Sequence, residues 1–212
     1  MKELIILGGY VHSTEMAEII ERANAVSPQW DLRGYITPDG LGTGDIRNGY
    51  PVLGGPEILD KFPNAWFVPE EEWPISHPIP WDRVVSIADP TAFISRTARI
   101  GRGCVIYPRC FVGANAVLHN RVFMLSGGVV NHDNVIGDNA VLTTSVTLAG
   151  QVQVGKNCYL GQSCTVRQFI RIGEGSTVGM GSVVIRDIPS NSVVGGNPAR
   201  PIVCRTKPGR PI

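Results

Sequence analysis

Residues 129–166 read VVNHDNVIGDNAVLTTSVTLAGQVQVGKNCYLGQSCTV and repeat a pattern of six residues. An aliphatic side chain returns at every sixth position without a break in register. The sixteen positions are Ile94, Ile100, Ile106, Val112, Leu118, Met124, Val130, Ile136, Leu142, Leu148, Val154, Leu160, Val166, Ile172, Val178 and Val184. This period fits neither an α-helix nor a simple hairpin ladder. It predicts a parallel β-helix of hexapeptide repeats, in which three short strands make one triangular coil of about 18 residues.

The cysteines follow the same repeat. Cys104, Cys110, Cys158 and Cys164 each stand four residues after an aliphatic position, where small side chains recur. Cys104 and Cys158 are three coils apart, as are Cys110 and Cys164, which is about 14 Å at strand spacing and beyond disulfide reach. We therefore expect four buried structural thiols. Cys204 lies outside the repeat and receives no role.

Composition limits the range of functions. The 212 residues carry 19 Lys and Arg against 18 Asp and Glu, a net charge of +1, which indicates no general affinity for nucleic acid or anionic membranes. No apolar run approaches the roughly 20 residues of a membrane span. The apolar stretch after Met1-Lys2-Glu3 is too short for a signal peptide, so we expect a cytoplasmic protein.

The distribution of tryptophan divides the chain, because all four residues precede position 82. We predict two domains, residues 1–83 and 84–212. In the first, Leu4–Leu7 forms a buried strand, Gly8-Gly9 forms a turn, and a helix follows. This order is typical of the start of a Rossmann-like α/β domain, and the helix N-terminus after the turn is suited to a phosphate or a polar ring. Further strands are expected at 32–36, 65–68 and 83–87, with a short helix at 56–62.

The histidines argue against a zinc enzyme. A γ-class carbonic anhydrase also uses a hexapeptide prism, but a catalytic zinc normally takes three protein ligands. Of His12, His77, His119 and His132, just two fall within the repeat. We therefore predict no metal site.

One corner of the predicted prism aligns four residues that could bind an elongated ligand. His132 falls two residues after an inward aliphatic, and steps of 18 lead from it to Gly150, Gln168 and Arg186. This set, the His132 line, spans about 14 Å, which is of the order of a pantetheine arm. An imidazole titrates near neutrality, a glycine leaves its N–H open to a thioester carbonyl, and a guanidinium suits phosphate. The alternatives are a solvated histidine, an ordinary turn glycine and a solvated charge.

The motifs along this line carry a resemblance to a known family. Residues 89–202 resemble the hexapeptide acyltransferases. The whole chain is similar to sugar acetyltransferases that join a nucleotide-binding domain to a left-handed β-helix, namely the bacillosamine and perosamine N-acetyltransferases and the sialic acid O-acetyltransferases of bacterial surface-sugar pathways. The motifs are Asn131-His132-Asp133, Val135-Ile136-Gly137, Leu148-Ala149-Gly150, Val154-Gly155-Lys156-Asn157 and Val194-Gly195-Gly196-Asn197-Pro198-Ala199-Arg200.

The resemblance implies a role for each residue. His132 is the general base, Asp133 orients it, and the Gly150 N–H holds the thioester oxygen. The residues implied in binding acetyl-CoA are Gly150, Gln168, Arg186, Asn197, Pro198, Ala199 and Arg200. Those implied in binding a nucleotide-sugar substrate are Gly8, Gly9, His12, Thr37 and Asn131. Family members are trimers with acetyl-CoA between adjacent prisms, so the resemblance also implies a homotrimer.

The first domain departs from the family pattern at several positions. Tyr10, Val11 and Ser13 stand where relatives often have Gly or Ala, and their side chains restrict the approach of a ligand to the backbone. Thr37 and Pro38 stand where relatives often show acidic residues. The acidic run 70–72 lies in a segment that replaces a helix, and we expect it to be a solvated loop.

The leading hypothesis is an acetyl-CoA-dependent acetyltransferase that acts on the amino group of a nucleotide-linked deoxyamino sugar in surface-polysaccharide biosynthesis. A positioned imidazole serves either an amine or an alcohol acceptor, so O-acetylation of a sugar hydroxyl is the first alternative. The second is a non-catalytic β-helix used as a binding or assembly module, since one fold hosts many functions.

Overall fold

The computed structural model describes residues 1–74, 76–77 and 79–202. Its N-terminal part is a five-stranded sheet accompanied by one α-helix and two short 3₁₀-helices, at Pro56–Lys61 and Trp81–Arg83. The sheet and the helix comprise β1 (Lys2–Leu7), α1 (Val11–Val26), β2 (Trp30–Ile36), β3 (Ile46–Arg47), β4 (Tyr50–Gly54) and β5 (Trp66–Pro69).

The N-terminal sheet has the order β3-β4-β2-β1-β5, and every pairing is parallel except that of β3 with β4. The apolar run Leu4–Leu7 is fully buried in β1, an interior strand of the sheet, as expected of a strand covered on both faces. Helix α1 buries the face that carries Met16, Ile19 and Ile20. Within the described residues α1 is the one α-helix. The part is therefore an α/β sheet that falls short of the doubly wound Rossmann pattern.

Most of the strands predicted in this part are confirmed. Residues 32–36 lie in β2 and most of 65–68 in β5, while the expected short helix at 56–62 is of the 3₁₀ type. The strand predicted at 83–87 is wrong. Residue 83 ends a 3₁₀-helix, and Val84 makes an isolated parallel bridge to Phe67 before the chain enters the repeat.

The rest of the described chain is a β-helix of very short strands. They are β6 (Ile87–Ala88), β7 (Phe93–Ile94), β8 (Arg99–Ile100), β9 (Val105–Ile106), β10 (Phe111–Val112), β11 (Val117–Leu118), β12 (Phe123–Met124), β13 (Val129–Val130), β14 (Val135–Ile136), β15 (Val141–Leu142), β16 (Thr147–Leu148), β17 (Gln153–Val154), β18 (Tyr159–Leu160), β19 (Thr165–Val166), β20 (Arg171–Ile172), β21 (Thr177–Val178), β22 (Val183–Val184), β23 (Val193–Gly195) and β24 (Arg200–Pro201).

These strands form three walls. The first wall contains β6, β9, β12, β15, β18, β21, β23 and β24, the second β7, β10, β13, β16, β19 and β22, and the third β8, β11, β14, β17 and β20. From β6 to β22, neighbours pair in parallel with partners 18 residues apart, as Val130 with Leu148 and Leu148 with Val166. At the end of the first wall, β23 pairs in parallel with β21 at a spacing of 16 residues and antiparallel with β24. The predicted parallel β-helix is confirmed. The left hand of its coil stays a prediction from the resemblance.

The predicted aliphatic columns form the interior of the prism. Fourteen of the sixteen positions are buried, and Ile94 and Ile100, in the first coil, are half-buried. The four repeat cysteines are also buried and unpaired, as expected, and burial raises the pKa of each thiol. Cys204 lies outside the described residues.

The two parts share one apolar core. Met16 and Ile19 of α1 belong to the same buried cluster as Ile87 and Phe123 of the first wall. An ion pair between Arg22 and the fully buried Asp89 carboxylate, 2.6 Å from Nε to Oδ2, joins α1 to the first coil. The helix is thereby held against the prism.

No helix in the part of the chain that the structure describes combines the length and the apolar character needed to cross a bilayer.

The aliphatic columns predict a large effect of Leu148→Ala, because this side chain is fully buried between two others of its column. We expect a loss of about 2–5 kcal/mol in the free energy of unfolding. The neighbouring outward Thr147→Ala serves as the control, with an expected loss below about 1 kcal/mol. Chemical denaturation followed by circular dichroism measures both. Equal losses for the two variants would contradict the assignment of inward and outward positions.

Candidate active site

The residues of the His132 line stand at one corner of the prism. The strands that precede them, β13, β16, β19 and β22, are neighbours in the second wall and pair at a spacing of 18 residues. His132, Gly150, Gln168 and Arg186 each come two residues after these strands, and all four are solvent-accessible. The line expected from the repeat is therefore present at the corner between the second and third walls.

The imidazole of His132 lies directly against Gly150. A Cβ added to Gly150 would come within 2.5 Å of both Cε1 and Nε2 of His132. Any larger residue at position 150 would displace the ring, so the glycine is required by close approach rather than by its turn. Among the described residues, the Gly150 N–H donates to no acceptor, whereas its carbonyl accepts from Phe169 N–H at 3.2 Å.

A carboxylate next in sequence orients the imidazole. Nδ1 of His132 is 2.8 Å from Oδ2 of Asp133, and Nδ2 of Asn115 donates to Oδ1 at 3.0 Å. The hydrogen bond from His132, followed by that from Asn115, lowers the pKa of the Asp133 carboxyl. An ionised carboxylate accepts the Nδ1 proton and so leaves the Nε2 lone pair free. The His132 side chain is 60% exposed, which keeps it open to a ligand.

Asn131 has a structural partner. Its Nδ2 donates to the Leu148 carbonyl at 2.8 Å and its backbone N–H reaches the same oxygen at 3.2 Å. These bonds link the coil of His132 to the coil of Gly150.

The closing segment folds back onto the second wall. Ala199 N–H donates to the Val183 carbonyl at 2.8 Å, and Gly195 pairs antiparallel with Arg200. Asn197, Pro198 and Arg200 are exposed. Since Val183 lies in the strand that leads to Arg186, the segment packs on the coil that carries the far end of the His132 line.

The Gly8-Gly9 turn is filled by a carboxylate of the same chain. Glu70 has no exposed surface, and its Oε2 accepts a hydrogen bond from the Ser13 hydroxyl at 2.6 Å. The same carboxylate accepts the backbone N–H groups of Gly9, Tyr10 and Ser13 at 3.2–3.4 Å. Glu70 thus occupies the position at the N-terminus of α1 that is suited to a phosphate or a polar ring.

The expectation that residues 70–72 form a solvated loop is therefore wrong for Glu70. Burial raises the pKa of its carboxyl, while the Ser13 hydroxyl and the turn amides act in the opposite direction. One signal in the sequence pointed to such a partner. The N-cap of α1 is Tyr10, which has no capping side chain, and the first turn has no acidic residue, so its free N–H groups need an acceptor from elsewhere.

Two other residues predicted to bind substrate also have protein partners. Thr37 is buried, contacts Gly9 closely, and donates from Oγ1 to the Leu41 carbonyl at 3.2 Å. His12 pairs through Nδ1 with Glu71, and this hydrogen bond is the main cause that raises the pKa of the imidazole.

His12, Glu70 and Glu71 bring ligand-type atoms within 4.8 Å of one another. Both oxygens of Glu70, however, already accept hydrogen bonds from Ser13 and the turn amides. Those donors satisfy the carboxylate without a cation.

A cleft of about 450 Å³ separates α1 from another corner of the prism. Its lining includes His12, Glu15 and Glu18 from the helix region and Ser126, Thr144 and Gln162 from the corner between the first and second walls. Within one chain, this corner differs from that of the His132 line. The side chains predicted for substrate in the first domain and the His132 corner therefore lie on different edges of one protomer.

Comparison with known proteins finds acyltransferases. The family model described as the hexapeptide repeat of succinyl-transferase matches residues 151–186. Serine acetyltransferase 4 of Arabidopsis thaliana is 34% identical over 118 residues, which cover 50% of this chain. The chain spans 28% of the length of that enzyme.

Two solved structures are similar over nearly the whole chain. The acetyltransferase domain of PglB from Neisseria gonorrhoeae is 24% identical with a TM-score of 0.77, covering 95% of this chain and 100% of that domain. PerB from Caulobacter crescentus, in complex with CoA and GDP-perosamine, is 21% identical with a TM-score of 0.78, covering 96% and 98%. These likenesses show the fold. Together with the family model and the curated relative, they support an acyltransferase.

The buried Glu70 predicts the behaviour of Glu70→Ala. Removing the carboxylate leaves four donors unpaired at the helix N-terminus, at an expected cost of about 2–4 kcal/mol in unfolding free energy. Millimolar sulfate should restore part of the thermal stability of the variant and leave the native protein unchanged, because an anion can then occupy the vacated turn. The control is Glu57→Ala, whose exposed carboxylate accepts from Gly55 N–H. Equal stabilisation of all three proteins by sulfate would contradict the assignment.

Proposed function

We propose that the chain is an acetyl-CoA-dependent N-acetyltransferase that acts on the amino group of a nucleotide-linked sugar. The observation that supports this most is the contact of the His132 imidazole with Gly150, whose N–H has no acceptor among the described residues. A base and an open backbone donor beside each other are what acyl transfer from a thioester requires.

In the proposed mechanism the acceptor amine attacks the thioester carbonyl while Nε2 of His132 takes its proton. The developing oxyanion receives a hydrogen bond from the Gly150 N–H, an interaction worth about 3 kcal/mol in comparable sites. The intermediate collapses by breaking the C–S bond, and the thiolate of CoA takes the proton held by His132. Asp133 stabilises the imidazolium between these two steps.

The donor is proposed to extend along the His132 line. Successive coils are about 4.8 Å apart, so the three coils from His132 to Arg186 match the length of a pantetheine arm. Arg186, Asn197 and Arg200 are exposed near the far end and suit the phosphates. We further propose the left-handed coil, the domains 1–83 and 84–212, a homotrimer and a cytoplasmic location.

The choice of acceptor is supported by the neighbours. The PerB structure holds GDP-perosamine, an amino sugar joined to a nucleotide, and a PglB structure holds acetyl coenzyme A. His12, which lines the cleft beside α1, remains a proposed acceptor contact. Thr37 is buried and Asn131 bonds the Leu148 carbonyl, so their side chains already have protein partners. Glu70 already accepts the amides of the Gly8-Gly9 turn, so the acceptor phosphates need another partner.

The proposal predicts the effect of His132→Asn. Asparagine keeps a polar group of similar reach but cannot take a proton, so acetyl transfer should fall by about 10²–10⁴-fold. The assay is release of free thiol from acetyl-CoA with UDP-, GDP- and dTDP-linked amino sugars, and with sialic acid for the O-acetyl alternative. The exposed His119→Asn is the matched control. Undiminished turnover in His132→Asn would exclude His132 as the general base. If the native protein turned over none of these acceptors, the alternative of a non-catalytic binding module would be favoured.

Gly150→Ala tests the contact on which the mechanism rests. The new Cβ would lie 2.5 Å from the imidazole, so we expect the ring to move and transfer to fall at least about tenfold. In a His132→Ala background the same change should have little further effect, because no ring is left to displace. If the losses of activity caused by Gly150→Ala and His132→Ala were additive in the double variant, the contact between Gly150 and the His132 imidazole would be contradicted.

A further inference from the structure

A second polar groove adjoins the His132 corner on the third wall. It has a volume of about 470 Å³ and is lined by Asp133, Gln151, Gln153, Phe169 and Arg171. The groove is continuous with the proposed active site, because Phe169 N–H donates to the Gly150 carbonyl and Asp133 pairs with His132. None of the roles assigned above uses its aromatic or its cationic side chain.

Phe169 is an unusual residue for its position. Its backbone has φ of 66° and the residue is 63% exposed. The other non-glycine residues with positive φ in the described chain are all polar or charged, and in its own column they are Asn115, Asp133 and Gln151. A bulky residue is strained in the left-handed region, and an exposed aromatic gains little from burial. Phe169 combines a strained backbone with an exposed aromatic ring, and backbone strain of this kind is concentrated at functional sites.

Arg171 supplies a cation next to this ring. It is exposed at the outward position of β20, one coil above Gln153, and its backbone N–H donates to Oδ1 of Asp187 at 2.8 Å. Within the described part of the chain its guanidinium forms no ion pair within 4.0 Å. A free guanidinium of this kind binds phosphate in a bidentate manner.

We propose that Phe169 and Arg171 form a subsite for a nucleoside diphosphate group, with the base stacked on the ring and the phosphates paired with the guanidinium. This inference rests on the proposed function, which supplies such a group in the nucleotide of the acceptor. The adenosine diphosphate part of CoA is placed three coils from His132, near Arg186, whereas Phe169 bonds the coil of Gly150. Gln151 and Gln153 supply amides for hydroxyl groups beside the nucleoside diphosphate.

Binding measured by calorimetry tests the subsite without depending on turnover. The probes are CoA, ADP and pantetheine for the donor, and UDP, GDP and dTDP for the acceptor. The variants are Phe169→Asn, which suits a positive φ, and Arg171→Gln. The controls are Tyr159→Thr, an exposed aromatic on another wall, and Arg99→Gln, an outward arginine in the first coil of the same wall.

We expect each subsite variant to weaken the binding of at least one of UDP, GDP and dTDP by about tenfold or more, with the affinity for pantetheine and both control variants unchanged. A loss confined to CoA and ADP would place the nucleotide of the donor at the subsite and overturn its assignment to the acceptor. The melting temperature of Phe169→Asn should stay equal or rise, since the strain is relieved. Unchanged affinities would overturn the inference, as would a change in oligomeric state alone. Native binding without acetyl transfer would instead refute the proposed function and leave the subsite standing.

Discussion

The 18-residue register of the β-helix is the constraint on which the rest of the structure depends. Parallel backbone pairing and buried aliphatic columns enforce it together, because a slip of one residue would turn every inward side chain to solvent. His132 is placed beside Gly150 by this register alone. The residues that set the geometry of the candidate site, such as Val130 and Leu148, are therefore core residues that no ligand touches.

The N-terminal part shows a different use of a familiar local structure. A glycine turn before a helix is suited to an anion, and here the anion is Glu70 from the same chain. The carboxylate satisfies the helix N-terminus permanently, so the turn serves stability. The acceptor phosphates then have to be recognised through other groups. The cleft beside His12 and the groove beside Phe169 lie on two different corners of the prism.

The candidate catalytic residues of this chain lie at one corner of the prism. Inward positions are constrained to apolar or small side chains, and strands of two residues leave one outward position each. The corners are less constrained by packing, and most of their left-handed positions hold Asn, Ser or other polar residues. Departures from that pattern are informative, as with the glycine that admits an imidazole and the phenylalanine in a strained conformation.

The sequence by itself determined the β-helix, its inward columns, the buried cysteines and the adjacency of His132 and Gly150, because in a periodic fold position along the chain sets position in space. The orienting role of Asp133 was implied by the resemblance to the hexapeptide acyltransferases. The tertiary structure alone decided the burial of Glu70, the pairing of His12 with Glu71 and the loss of the strand expected at 83–87. The first two depend on contacts between segments about 60 residues apart and the third on the bridge of Val84 to Phe67; no repeat relates these segments, and such contacts are selected by packing rather than by local pattern.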